Sequence, residues 1–172
     1  MSELLKLNLG ACETRINGFL SVDIREDLHP DIVADLRCDN PFEPNTVETI
    51  YCSHMLEHIR LDEAWVLMDR MAEWLVPGGV LFVAVPDFAR LAIMYIAGDT
   101  SEGTRGLIWG GSGGNESHKF GWTRDHLVAE LTARGFRVIE SFEPFVYEPS
   151  GQLDWSRAPS IRLRCVKTKE PR

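Results

Sequence analysis

No apolar run in this 172-residue sequence approaches the length needed to cross a bilayer. The start, "MSELLKLNLG", lacks a secretory pattern and enters a strand-like alternation at once. Cysteine is sparse: Cys12, Cys38, Cys52 and Cys165 are scattered and form no C-x-x-C pair. These absences give a cytoplasmic, reducing compartment as the expectation. Positive charge is also short, with 18 Lys and Arg against 26 Asp and Glu and a formal net charge of −8. A nucleic-acid-binding domain normally carries excess cations on one face, so no nucleic-acid partner is expected. The single basic cluster, "RLRCVKTK", alternates as an edge-type strand would. There is no internal repeat and no dividing linker, so residues 1–172 read as a single domain, long enough to bury a real core.

What is present alternates short β-like runs with helical ones, the pattern of an α/β fold with a parallel sheet and helices on both faces. Strands are expected at Leu4 to Gly10, Gly18 to Ile24, Asp31 to Leu36 and Val47 to Met55. Leu61, Ala64, Trp65, Met68, Met71, Ala72 and Leu75 recur at helical spacing, and Pro77 to Gly79 is expected to end that helix. Val80 to Pro86 is an uninterrupted apolar strand of the kind buried on both faces. Phe88 to Ala97 is a second helix, and a third is capped by Thr123 and stopped by Gly135. "FRVIESF" and "SIRLRCVK" supply the last strands. Residues Gly98 to Trp122 hold eight of the fourteen glycines and read as a structureless active-site loop or lid.

His54, Glu57 and His58 in "SHMLEH" match H-x-x-E-H, the zinc signature of certain metalloproteases. Zinc binding in that form needs both histidines on one helical face. Here the motif follows directly on a β run and the regular helix begins only near Asp62. The protease reading is therefore set aside, with no metal expected and Glu57 and His58 assigned to the start of the next helix.

Position supplies a different meaning. In an open parallel sheet, ligands bind outside the carboxyl ends of the strands where strand order reverses, a place normally flanked by strands one and four. Those ends are Asn8, Leu9, Gly10, Ala11 and Cys12 on one side and Ser53 and His54 on the other. Gly10 allows a sharp turn and close ligand approach. Asp23, followed by Ile24, ends strand two, where a carboxylate can accept both hydroxyls of a ribose; Asp35 ends strand three, within reach of an adenine amino group. Each alone is ordinary turn chemistry, but three at successive strand ends form a set. The dinucleotide fingerprint is missing, because the loop reads G-A-C-E-T-R and the acid follows Gly10 by thirteen positions rather than the roughly twenty of a dinucleotide fold. A nicotinamide-dependent oxidoreductase is thereby disfavoured, and the first crossover is expected to be very short.

Four blocks, "LNLGAC…GFLSVDI", "ADLRCDNPFEPNTVETIYCSHMLEHI", "WLVPGGVLFVAVPD" and "HKFGWTRDHLVAELTARGF", together resemble the class I S-adenosylmethionine-dependent methyltransferases, a compact branch of them. The resemblance implies a Rossmann-like doubly wound sheet of order 3-2-1-4-5-7-6, with "SIRLRCVK" as the antiparallel seventh strand. It implies S-adenosylmethionine as cofactor: Gly10 with Asn8, Leu9 and Ala11 along the methionine portion, Asp23 with Ile24 at the ribose, Asp35 and Leu36 at the adenine, Ser53 and His54 near the sulfonium.

Methyl transfer is an in-line displacement, so positioning dominates and a base is needed only for certain acceptors. His54 and His118 are the candidates, each with an alternative role as a structural or solvated residue. The helix from Thr123 precedes a parallel strand, so its N-terminus and "SHKFGW" belong above the crevice, where His118, Lys119 and Trp122 become candidate substrate-binding residues. Phe120, Trp122, Trp109 and Trp155 either floor an acceptor cavity or pack the glycine-rich loop. A small-molecule or glycan-type acceptor is expected, with residues 98–122 and 143–160 setting its identity. A cofactor-binding module without turnover is the alternative suggested by Gly10-Ala11-Cys12, where the family often has G-x-G and this chain carries Cys12 in the last place.

Overall fold

The computed structural model describes residues 3–111, 116–143 and 159–168. The alternating segments fold into seven strands: β1 (Leu5–Leu9), β2 (Leu20–Asp23), β3 (Ile32–Val33), β4 (Val47–Ser53), β5 (Leu75–Pro86), β6 (Phe136–Glu140) and β7 (Ser160–Lys167). They form one sheet in the order β3-β2-β1-β4-β5-β7-β6. The pairs from β3 to β5 are parallel, and β7 is antiparallel to both β5 and β6. Among the described residues the α-helices are α1 (Leu61–Trp74), α2 (Phe88–Ile96), α3 (Glu102–Trp109) and α4 (Arg124–Ala133). All lie in the connections from β4 to β6; among the described residues, β1 to β4 are joined by loops and one short 3-10 helix, Glu26–Leu28.

Side-chain alternation divides the core. Ile50 and Cys52 enter the large cluster with Leu67, Met68 and Met71 of α1 and Leu127 and Leu131 of α4. Tyr51 points the other way and packs with Ile16, Ala84 and Phe142. The buried stripe of α1 is Ala64, Leu67, Met68, Met71 and Trp74. Trp65, expected on that stripe, lies outside it, with the Arg134 guanidinium 5.8 Å from its ring centroid.

Three boundaries differ from expectation for local reasons. First, α1 closes at Trp74, and Leu75 is already extended (φ −66°, ψ 139°) and paired with Val47. Pro77 to Gly79 then forms an irregularity inside β5, between the Val47–Leu75 and Thr49–Val80 pairs, instead of a helix terminator. A side chain at Gly79 would sit 2.9 Å from the Val76 carbonyl oxygen and 3.2 Å from that of Glu48, so only glycine passes through. Second, β3 is only two residues long, so Asp35 lies beyond it in a turn closed by Cys38 N–H to Asp35 O at 3.0 Å. Third, the glycine-rich segment is not structureless, for Ser101 caps α3 through the Thr104 N–H at 3.3 Å.

β7 runs opposite to both of its neighbours, so β6 is parallel to β5 and α4 descends from the carboxyl side of the sheet. The N-cap of α4, Thr123, and the segment before it therefore stand over the β1–β4 crevice.

Candidate functional site

Gly10 follows β1 with φ +64°, a left-handed backbone that glycine adopts without strain. A β-carbon there would lie 2.7 Å from Cγ of Met55, so this turn is closed to any larger residue. The Gly10 and Ala11 amides both donate to the Val22 carbonyl, at 2.9 and 3.2 Å, which folds the loop back over β2. That fold brings Cys12, itself at φ +49°, to donate its N–H to Oδ2 of Asp23 at 2.8 Å. Oδ1 of the same buried carboxylate accepts the Arg25 N–H at 2.9 Å. Asp23 is thus held from two sides while each oxygen keeps a lone pair.

Asp35 is gripped by Arg37, whose Nε and Nη2 fork onto Oδ1 and Oδ2 at 2.8 Å each. That hydrogen-bonded fork holds its carboxyl below the usual range. Leu36 beside it is buried, and Arg70 of α1 fixes the turn by donating to the Leu36, Cys38 and Asp39 carbonyls at 3.2, 3.2 and 2.8 Å.

His54 directly follows β4 in the left-handed region (φ +53°), with its N–H on the Ala84 carbonyl at 2.8 Å. Its Nε2 is 3.0 Å from Ser160 Oγ at the start of β7. Its Nδ1 lies 3.2 Å from Oε1 of Glu57. Glu57 and His58 do not begin α1 as expected. They occupy a separate 3-10 helix, Leu56–His58, because the extended Ile59 and Arg60 intervene before the helix. The helical zinc geometry of H-x-x-E-H is accordingly absent, since His54 belongs to the strand end.

A cavity of about 690 Å³ opens at this point, lined by Gly10, Cys12, Asp23, Asp35, His54 and His58, with Ile24 and Leu36 in its wall. That is a size typical of small-molecule sites. Asn8, Leu9, Ala11 and Ser53 are not among the described lining residues; Leu9 packs into the core and Asn8 is buried, donating weakly to Thr14 Oγ1 at 3.5 Å.

Across the crevice, the segment before α4 is fastened to the same turn. The Lys119 and Phe120 amides both donate to the Glu57 carbonyl, at 2.6 and 3.3 Å, and the His118 amide donates to Trp109 O at 2.9 Å. The His118 ring stands edge-on to His58, with centroids 4.7 Å apart. Burial pushes the His118 pKa below its ordinary value, with Glu57 opposing that shift. Lys119 directs Nζ to Ser117 Oγ. Trp122 is set in the core against Phe120 (centroids 4.8 Å apart) rather than in the cavity wall, because its carbonyl holds the Phe88 N–H at 3.0 Å and draws the chain under α2. Trp109 stacks edge-on with Tyr95 at 5.2 Å on the outside of α2 and α3. Trp155 and most of the 143–160 segment fall outside the described residues.

Residues 19–83 match the family model described as a methyltransferase domain. A solved S-adenosylmethionine-dependent methyltransferase from Methanosarcina mazei is 13% identical over 99% of this chain and 95% of that one, with a TM-score of 0.67. The chain thus has the class I methyltransferase fold, and its residues 19–83 match a methyltransferase-domain model. Two similar structures hold S-adenosylhomocysteine. The 1,6-didemethyltoxoflavin-N1-methyltransferase of Burkholderia thailandensis is 14% identical over 95% of this chain and 71% of that one, with a TM-score of 0.57. The N-methyltransferase NodS of Bradyrhizobium japonicum is 12% identical over 95% of this chain and 78% of that one, with a TM-score of 0.58. No curated protein sequence matches the chain.

Three contributors to the cavity escape a reading of the sequence. Met55 closes the Gly10 turn, Cys12 acts through its amide rather than its thiol, and Arg37 occupies Asp35. Cys12 sits on left-handed backbone (φ +49°) and Met55 directly follows His54 at φ +53°, conformations that residue type does not announce. Arg37, two residues after an acid in a turn, was the one with a readable signal.

Proposed function

We propose that this domain binds S-adenosylmethionine in the crevice between β1 and β4 and transfers its methyl group to a small-molecule or glycan-type acceptor. The observation that carries this reading is the Asp23 carboxylate, oriented by the Cys12 and Arg25 amides and sharing one cavity with Gly10 and His54. Its remaining lone pairs fit two ribose hydroxyls. Ile24 and Leu36 offer apolar contact to an adenine, and Asp35, though forked by Arg37, keeps a further lone pair on Oδ2 for the exocyclic amine. Asn8, Leu9, Gly10 and Ala11 would follow the amino-acid end through their backbone, and Ser53 and His54 would border the reacting centre. The cofactor supplies an electrophilic methyl on a positive sulfur; the chain's own residues orient it, exclude water and handle the acceptor's proton.

His54 is the residue proposed to take that proton. Glu57 lies beside Nδ1 at 3.2 Å, a placement that stabilises the imidazolium once the proton arrives. His118, whose pKa burial pushes down, faces it from the acceptor side with Lys119, and Trp122 braces that segment from beneath.

Titration with S-adenosylhomocysteine tests the reading: the melting temperature rises with ligand, and Asp23→Ala weakens affinity at least ~30-fold, the scale of two lost hydrogen bonds to a charged group. A flat melting curve at millimolar ligand sinks it. Binding without methylation of any acceptor in a broad panel would leave the non-catalytic module, which the Cys12 substitution in the first loop favours. A negative NADH titration removes the oxidoreductase.

A further inference from the structure

Glu57 is 1% exposed, and neither of its carboxylate oxygens has a hydrogen-bond partner of proper alignment among the described residues. The His54 Nδ1 at 3.2 Å meets the distance for an ion pair but not the direction of a hydrogen bond. A buried carboxylate left this way is strongly disfavoured unless a charge compensates it. Beside it, Nδ1 of His58 is buried and equally unpartnered. The third neighbour is His118. One ligand atom from each of Glu57, His58 and His118 falls within 4.8 Å of the other two.

We infer that these three residues form a binding site for a divalent transition-metal ion of the zinc class, at the acceptor end of the cavity. Two imidazoles and one carboxylate suit zinc, cobalt, nickel or iron(II) and discriminate against magnesium and calcium, which take oxygen ligands. Metal–nitrogen and metal–oxygen bonds of about 2.0–2.2 Å place ligand atoms roughly 3.3 Å apart, so side-chain adjustments of about 1 Å close the set. A second feature points the same way. The Ile108 carbonyl stands beside the His118 ring and favours its protonated N–H form, and a backbone carbonyl beside one ring nitrogen is the usual outer partner that presents the other as a lone pair.

The set differs from the metalloprotease arrangement that the local motif suggests. Two ligands come from the 3-10 helix and the third from the segment after α3, sixty residues along the chain, while His54 stays outside as a neighbour of Glu57. Three protein ligands leave coordination positions open, and His58 lines the cavity, so an acceptor oxygen has room to bind the ion. In that state the His118 lone pair is committed to the metal and His54 remains the proton acceptor. The metal site stands on its own geometry; only its role toward the acceptor rests on the methyltransferase reading.

Chelator-treated protein titrated with Co²⁺, followed by visible d–d absorption, and with Zn²⁺, followed by melting temperature, provides the test without any cofactor. One ion per chain is expected, with Zn²⁺ displacing Co²⁺ and raising the melting temperature. His118→Ala, His58→Ala and the near-isosteric Glu57→Gln should each weaken affinity at least ~10-fold, the usual lower effect of losing a ligand or its support, while circular dichroism reports that the variants are folded. Absence of binding to the unaltered chain at millimolar metal overturns the proposal, as does binding undiminished in all three variants. S-Adenosylhomocysteine binding measured on the same samples separates the two readings. Cofactor affinity without metal affinity removes this site alone; the reverse removes the cofactor assignment alone.

Discussion

Gly10 shows how much of this crevice depends on the absence of a side chain. Its φ of +64° and the 2.7 Å separation between a would-be β-carbon and Met55 act together, so the substitution has no relaxed form. Gly10→Ala is expected to cost about 1–3 kcal/mol, read as a lower midpoint in urea. It should also push Met55 toward the cavity, weakening S-adenosylhomocysteine more than the stability loss explains. Met55→Ala in the same chain should restore part of both. A Gly10→Ala protein of unaltered stability would contradict the packing described. The thiols offer another residue-scale check. Burial pushes Cys165 to about 12 and Cys52 higher still, while Cys12 and Cys38 are exposed. Alkylation followed by mass spectrometry should label Cys12 and Cys38 in the folded protein and the other two only on unfolding. Because Cys12 lines the cavity, S-adenosylhomocysteine should slow its labelling and leave Cys38 unchanged.

At the scale of elements, β3 is too short to hold itself on the sheet and is pinned by Asp31. Its Oδ2 accepts the Ser21 N–H at 2.8 Å and the Ser21 hydroxyl at 2.6 Å, and the Asp31 N–H returns to Ser21 Oγ at 2.9 Å. The hydroxyl, then the amide, hold the Asp31 carboxyl below its ordinary 3.8. A depressed folded value means that this stabilisation is complete above the unfolded value and fades as the pH falls through the folded one. Asp31→Asn should therefore lower stability at neutral pH by about 1 kcal/mol, kept small by solvent screening. It should also flatten the acid limb of the stability–pH curve below about pH 4. An unchanged acid limb would mean that the pin does not act. The seven strands and α1, α2 and α4 were legible because alternation, helical spacing and capping residues state them locally. What stayed hidden was set by neighbours. Leu75 turns into a strand because Val47 is there to pair with it, and α3 forms because Ser101 caps a segment whose glycines had argued for a loop.

For the molecule as a whole, strand order placed the crevice, and the carboxyl-end logic brought residues 10, 23, 35 and 54 to one cavity although no short motif joins them. The acceptor side was less legible. The direction of α4 put His118 above the crevice, but its approach to Glu57 and His58 is a long-range contact that no spacing encodes. Trp122 misled because aromatic residues serve cores and cavities alike. One peptide group carries a consequence for how the two walls communicate. The Glu57 carbonyl receives the Lys119 and Phe120 amides, so the segment before α4 separates from the Leu56–His58 turn only by giving up both. Deuterium uptake at those two amides should proceed in step, and a ligand spanning both walls should retard them together, turning a single carbonyl into a clock for substrate residence.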